Sequence, residues 1–294
     1  MKAFRIVEHG DAAAFLERAT EWLLRDEAAH NLLLGIAGRL RDGHNPYDDP
    51  ISLITVEEGD EVVGCAWRTP PFNLGLTAMP PAALPALVEA VGRLHPALPG
   101  ILGPPEVVRE AARLWAAPRG LALRDDMALR IYALTDVTPP ASPSPGRFRP
   151  AAPGDVPRLA DWAGAFQVET SPGDAPRPDL TGAVERLVAQ DVLWVWEDGE
   201  AVSMAAAVSP TPHGVRVNFV YSPPERRGRG YASACVAALS QAQLDAGRQF
   251  CFLYTDLANP TSNAIYQRIG YRPVTDALQL GFASGPVDVP GAGR

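Results

Sequence analysis

The feature that most restricts the fold of this 294-residue chain is an internal repeat. Phe4-Arg5 followed by Gly10-Asp11 returns as Phe148-Arg149 followed by Gly154-Asp155, at an offset of 144 residues. Further in, Leu53, Val56, Glu57, Glu58, Gly59, Asp60 and Val62 correspond to Leu193, Trp196, Glu197, Asp198, Gly199, Glu200 and Val202, at an offset of 140. Gly120 with Asp126 parallels Gly270 with Asp276, at an offset of 150. Order is kept across each half, so the chain reads as a tandem duplication of one unit. The middle match is a hairpin in both copies: alternating apolar residues, an acidic-glycine turn, then a second strand. Between the copies, Val137-Thr138-Pro139-Pro140-Ala141-Ser142-Pro143-Ser144-Pro145-Gly146 carries four prolines and no apolar periodicity, the pattern of an extended linker. The expected organisation is a first domain over 1–136, a linker over 137–147, a second domain over 148–284 and a flexible tail over 285–294.

Composition narrows the classes of function. With 47% hydrophobic and 20% charged residues and no apolar run near the length of a membrane span, the chain reads as soluble and globular. Its start, Met-Lys-Ala-Phe-Arg-Ile, lacks the apolar core of a signal peptide, so a cytoplasmic location is expected. A net charge of −8 argues against nucleic acid as a partner, because a phosphate backbone needs a broad basic face. The cysteines Cys65, Cys235 and Cys251 lie in apolar segments without metal-ligand spacing, so no metal is expected. Oligomeric state is not written in the sequence.

The one densely basic stretch lies in the second copy. An apolar strand, Val217 to Tyr221, enters the loop Ser222-Pro223-Pro224-Glu225-Arg226-Arg227-Gly228-Arg229-Gly230-Tyr231-Ala232, which opens directly into a helix. Two glycines let the backbone turn tightly, and the helix that follows adds the partial positive charge of its N-terminus. Such a loop suits an anion, and Arg226, Arg227 and Arg229 point to a phosphate-bearing one. Cys235, Val236, Leu239 and Ala242 then recur at helical spacing, Gly247 stops the helix, and Phe250 to Tyr254 reads as a strand. Beyond it Asn259 fits an N-cap, Pro260 the first helical position and Gly270 the left-handed C-terminal position, which makes a short helix carrying Tyr266. A dinucleotide-binding Rossmann layout is the minor alternative, with Asp256 about two dozen residues beyond the loop. It needs Gly or Ala where Ser233 stands, and no second parallel unit follows.

Arg227-Gly228-Arg229-Gly230-Tyr231-Ala232 resembles the signature of the GCN5-related N-acetyltransferase family: Arg or Gln, two free positions, Gly, one free position, then Gly or Ala. The later Asn259, Ser262-Asn263, Tyr266 and Gly270-Tyr271 are similar to the arrangement that follows this family's fifth strand. The resemblance covers roughly Phe148 to Phe282. It implies an α/β fold, a mixed sheet with flanking helices, present here as two tandem acyl-CoA N-acyltransferase-like domains. It also implies acetyl-CoA as cosubstrate, its pyrophosphate held by the loop amides of Arg227 to Ala232. A splayed strand at Phe219 and Val220 is implied to pair with the cofactor and aim an N–H at the acetyl carbonyl. Asn259 is implied to contact the pantetheine arm or to act as the helix cap, two roles that can coexist.

In the first copy the corresponding text is Met79-Pro80-Pro81-Ala82-Ala83-Leu84-Pro85-Ala86. No glycine pair and no arginine follow Pro80-Pro81, Pro85 removes a further N–H, and Trp115 and Ala116 stand near the place of Tyr266. The first copy therefore reads as degenerate.

Acetyl transfer to an amine requires a neutral nucleophile, a polarised thioester carbonyl and a proton for the departing thiolate. A lysine-like amine is neutral only to roughly one part in 2,500 at pH 7, a handicap of about 4.6 kcal/mol. Tyr266 is the expected general acid, with a core tyrosine as the plain alternative. Glu169 and Asp174, in a loop-like stretch between the first two helices of the second copy, and Asp256 are candidates for the base. The expected function is an N-acetyltransferase acting on a small-molecule or peptide amine. The competing class is an acyl-CoA-binding sensor without turnover.

Overall fold

The computed structural model describes residues 3–48, 50–139, 143–170 and 180–284; Asp174 and the expected tail over 285–294 lie outside them. The first half runs β1 (Phe4–His9), α1 (Ala12–Leu23), α2 (Asn31–Arg41), β2 (Ser52–Glu58), β3 (Glu61–Arg68), β4 (Leu74–Leu76), α3 (Leu84–Leu94), β5 (Gly100–Gly103), α4 (Pro105–Ala116) and β6 (Leu121–Leu134). The second half runs β7 (Arg147–Pro150), α5 (Val156–Thr170), α6 (Thr181–Ala189), β8 (Leu193–Asp198), β9 (Glu200–Val208), β10 (Gly214–Tyr221), α7 (Tyr231–Asp245), β11 (Phe250–Asp256), α8 (Pro260–Ile269) and β12 (Arg272–Ser284). The same order of strands and helices is thus written twice, as the repeat predicts.

The chain forms two compact units, residues 1–130 with 275–294, and residues 131–274. In the first unit the strands run β1-β2-β3-β4-β5-β12, with Leu278 to Gly281 of β12 antiparallel to Gly103 to Gly100 of β5. Helices cover both faces. One core joins Ile54, Ala66, Leu76, Leu87 and Val108 beneath α3 and α4. The other joins Phe15, Leu33, Leu53, Cys65 and Trp67 beneath α1 and α2. Neighbours Cys65 and Ala66 fall into opposite cores because side chains alternate along a strand.

The second unit has the order β11-β10-β9-β8-β7. Along β9, Ala205 and Ala207 pack with α7, while Met204 and Ala206 pack with α5 and α6. A strand covered on both sides reads as a near-continuous apolar run, which β9 does after Glu200, broken only by Ser203. Antiparallel pairing dominates both units: β4 with β5 and β10 with β11 are the parallel pairs among the described registers. A doubly wound parallel sheet, which the dinucleotide-binding alternative requires, is therefore excluded.

The duplication extends to details that serve the fold. Both hairpins carry a bulge at the same place, Val56/Glu57 in the first unit and Trp196/Glu197 in the second. Gly59 and Gly199 turn them with φ of 62° and 73°. The glutamate at each bulge takes arginine partners: Glu57 accepts from Arg5 and from Arg18 at 2.9 Å, and Glu197 from Arg149 and from Arg147 at 2.7 Å. Burial opposes the charge on Glu57, but hydrogen bonds from Arg18, Arg5 and Thr55 outweigh it and hold the carboxyl below its ordinary range.

Candidate active site

Three elements of the second unit build one cleft. β10 and β11 are in parallel register from Gly214/Phe250 to Arg216/Phe252, and each strand then runs on without further pairing to the other. At the same level β10 bulges against β9 between Asn218 and Tyr221, and Phe219 takes φ of 51°. That left-handed angle is costly for an aromatic residue. It is held locally by the Phe219 N–H, which donates to Asn218 Oδ1 at 2.8 Å. The strands therefore part where the sequence reading expects a splay.

Beside this opening the loop turns through a single 3-10 turn, Pro224–Arg226, and reaches α7 through Gly228 (φ 76°) and Gly230 (φ 80°). Only glycine adopts such angles freely, so both positions are dictated by the backbone. Gly230 is the N-cap of α7 and has no side chain to satisfy the amides that open the helix. These amides and the helix dipole make an anion-receptive end.

Two of the three loop arginines hold carboxylates. Arg226 Nη2 pairs with Glu200 Oε1 at 2.5 Å. Arg227 donates from Nη2 to both oxygens of Glu169 at 2.7 and 2.9 Å and from Nε to the Ser222 carbonyl at 2.9 Å, with its guanidinium over the Tyr221 ring. Arg229 is not among the residues lining the cleft, whereas Arg226, Arg227, Gly228, Gly230, Tyr231 and Ala232 are. What the loop turns toward the cleft is thus largely backbone, and Tyr231 is anchored below it by a 2.6 Å bond to Asp198.

The opposite wall is α8. Asn259 Oδ1 accepts from the Ser262 N–H at 3.0 Å, Pro260 opens the helix and Gly270 closes it at φ of 116°, as the sequence predicts. Tyr266 lines the cleft at 9% exposure, and burial pushes its phenol up to about 12. Its hydroxyl makes no hydrogen bond to protein among the described residues. Asn259 lines the same cleft, so its cap role leaves it in reach of a ligand. Asn263 braces the helix: its Nδ2 donates to the carbonyls of Asp256 and Asn259 at 3.0 and 2.7 Å. Its Oδ1 accepts from the Tyr132 hydroxyl at 3.2 Å, and Gln267 donates to that same hydroxyl at 2.9 Å. Tyr132 carries no sequence signal for this role.

The cleft encloses about 890 Å³, within the range of ordinary ligand sites. Val220 and Glu169 line it, and Phe219 and Asp256 do not. Glu169 stands on the last turn of α5 and meets the loop through Arg227. The Asp256 carboxylate accepts from the Ala258 N–H at 2.8 Å and shapes the turn into α8. Cys65, Cys235 and Cys251 are buried free thiols, all pushed up by burial, Cys251 to about 12. Among the described residues no group of three or more His, Cys, Asp or Glu is placed to hold a metal, and no helix is long and apolar enough to cross a membrane.

The first half has no such loop. Its 3-10 turn, Pro81–Ala83, runs straight into α3 at Leu84, whereas Pro224–Arg226 is followed by Arg227 to Gly230 before α7 begins at Tyr231. The residue before α3 is Ala83 in right-handed helical geometry, not a left-handed glycine. Trp115 is 1% exposed in the core, with the Arg119 guanidinium 3.6 Å above its ring.

Residues 158–271 match the sequence model of the acetyltransferase (GNAT) family. Curated protein sequences include no match. Among solved structures, a Drosophila protein is similar over 97% of this chain and 99% of its own, at 15% identity and a TM-score of 0.66. A GCN5-related N-acetyltransferase from Sphaerobacter thermophilus is similar over 97% and 98%, at 18% identity and a TM-score of 0.62. A tandem GNAT protein from the clavulanic acid biosynthesis pathway is similar over 97% and 100%, at 14% identity and a TM-score of 0.52. At these identities the likeness is one of fold. Residues 158–271 therefore carry the sequence pattern of the acetyltransferase (GNAT) family, and the full length takes the fold of a tandem GNAT protein.

Proposed function

We propose that the protein transfers an acetyl group from acetyl-CoA directly to an amine, using the second unit alone. The observation that carries this reading is the convergence on one cleft of the parted β10, the glycine loop at the start of α7 and the Tyr266 side chain of α8. The loop amides from Gly228 to Ala232 suit the diphosphate of CoA, and the widened β10 at Phe219 and Val220 suits the pantetheine arm with Asn259 facing it. In this arrangement the amine nitrogen attacks the thioester carbonyl, and a backbone N–H of β10 stabilises the oxyanion that forms. The carbon–sulfur bond then breaks, and the thiolate takes a proton from Tyr266.

The amine must lose a proton before or during attack. Glu169 is the cleft-lining carboxylate proposed to receive it, through water or directly, while Arg227 fixes its position. Asp256 is the weaker candidate because its carboxylate serves the turn before α8. Screening an amine library for thiol release from acetyl-CoA tests the proposal. Release with at least one amine supports it. Tight acetyl-CoA binding without release from any amine makes the sensor reading the better one, and absence of binding removes both.

A further inference from the structure

The proline-rich segment between the repeats reads in sequence as a spacer, yet Thr138, Pro139 and Ser144 line the cleft. Both of its described ends are tied to the second unit. The Thr138 N–H donates to the Ile269 carbonyl at 2.6 Å, at the end of α8. On the far side the Trp196 indole donates to the Pro145 carbonyl at 2.7 Å. Gly146, at φ of 107°, lies so close that a Cβ there would stand 2.2 Å from the Glu197 carbonyl oxygen.

Ser144 is thereby set against the glycine loop. A Cβ on Gly230 would stand 2.7 Å from Ser144 Oγ, and that hydroxyl donates to the Arg229 carbonyl at 3.3 Å. The bond is long for O–H···O, so the hydroxyl gives up little in exchanging it for a charged acceptor. The site needs such donors: Arg226 and Arg227 already face Glu200 and Glu169. A diphosphate at the loop draws on backbone amides and hydroxyls, and Ser144 is the hydroxyl packed on the cap residue itself.

We infer that Ser144 is a ligand of the CoA diphosphate, which makes the stretch just before β7 part of the wall of the cofactor site; this rests on the acetyl-CoA reading above. The test is calorimetric titration of CoA into the full chain and its Ser144 variants, with thermal midpoints of the ligand-free proteins recorded alongside. Ser144→Ala should weaken CoA binding about tenfold, the scale of one hydrogen bond to a charged group. Ser144→Thr, which keeps the hydroxyl, should stay near wild type, and Ser144→Asp should bind more weakly than the alanine variant because it places a carboxylate against the diphosphate. Thermal midpoints should be unchanged. Equal affinities across all three variants, or a loss in Ser144→Thr as large as in Ser144→Ala, would overturn the inference in favour of a wall that acts by shape. Failure of the wild-type chain to bind CoA at all would instead remove the reading of the cleft, and the inference with it.

Discussion

Replacing Tyr266 by Phe tests the chemistry most directly, because it keeps the ring that packs 5.9 Å from Tyr271 and removes only the hydroxyl that carries the proton. The expected size of the effect follows from burial. A phenol raised to about 12 stands above a free thiol near 8.5, so complete transfer of its proton to a thiolate is uphill by roughly 5 kcal/mol. Proton transfer therefore lags behind carbon–sulfur cleavage, and the gain in the transition state comes from a hydrogen bond that strengthens as negative charge develops on sulfur. Such a bond is worth about 1.5–3 kcal/mol, which corresponds to a loss in kcat of roughly 10- to 150-fold. Only the top of that span reaches the usual range for general acid catalysis, about a hundredfold to ten-thousandfold. Thiol-release kinetics with a responsive amine should show this loss, with acetyl-CoA affinity little changed. The pH profile supplies a second reading: a phenol raised to about 12 stays protonated through neutral and mildly alkaline pH, so Tyr266 contributes no falling limb below about pH 11. Full turnover in Tyr266→Phe would refute the role. A wild-type decline near pH 10 that vanishes in the variant would refute the burial argument.

Gly230→Ala should cost about 1 kcal/mol or more in left-handed strain and also crowd Ser144, so CoA affinity should fall further than in Gly228→Ala, where a Cβ meets open space; calorimetry on the folded variants separates the two. Calorimetry should likewise find one CoA bound per chain, since the first unit lacks the residues that carry left-handed glycines in the second, and two equivalent sites would contradict the reading of that unit. Glu57→Gln should lower stability by about 1 kcal/mol, discounted for the partial exposure of Arg5 and Arg18. Because the folded-state pKa of Glu57 is depressed, its contribution is present above the ordinary carboxylate range and lost as pH falls through the depressed value. Thermal melts from pH 7 down to pH 2 should therefore show the wild type converging on the variant in acid, and a gap that persists unchanged would deny that Glu57 is charged.

What was legible in the sequence is what short-range chemistry dictates. Gly228 and Gly230 had to turn the chain with positive φ, and Asn259, Pro260 and Gly270 had to bound a helix. The splay at Phe219 and Val220 was legible only through the resemblance. Partnerships across the fold left no local trace. Glu169 meets Arg227 from 58 residues away, Glu200 meets Arg226 from 26, and Ser144 meets Arg229 from 85. An arginine in a glycine loop looks the same in sequence whether it awaits a phosphate or already holds a carboxylate. The prolines misled in a similar way: they specify an extended backbone, and an extended backbone can be a free spacer or a strand of wall. Only the bonds at Thr138 and Pro145 decide between these.

The two halves show where fold and chemistry part. Both keep the hairpin, its bulge, the left-handed turn glycine and a glutamate held by arginines, because these features set strand register and are needed wherever the unit folds. They differ in the few residues between a proline-led 3-10 turn and the next helix. With those residues present, two left-handed glycines swing the chain aside and leave the amides that open α7 against a cleft. Without them the turn passes directly into α3, and Pro85 removes one of the N–H groups that an anion would use. The first unit thus lacks the glycine loop, while its sheet and helices keep a packed core on each face. A duplicated fold is free to keep one copy for its architecture while the other carries the cleft.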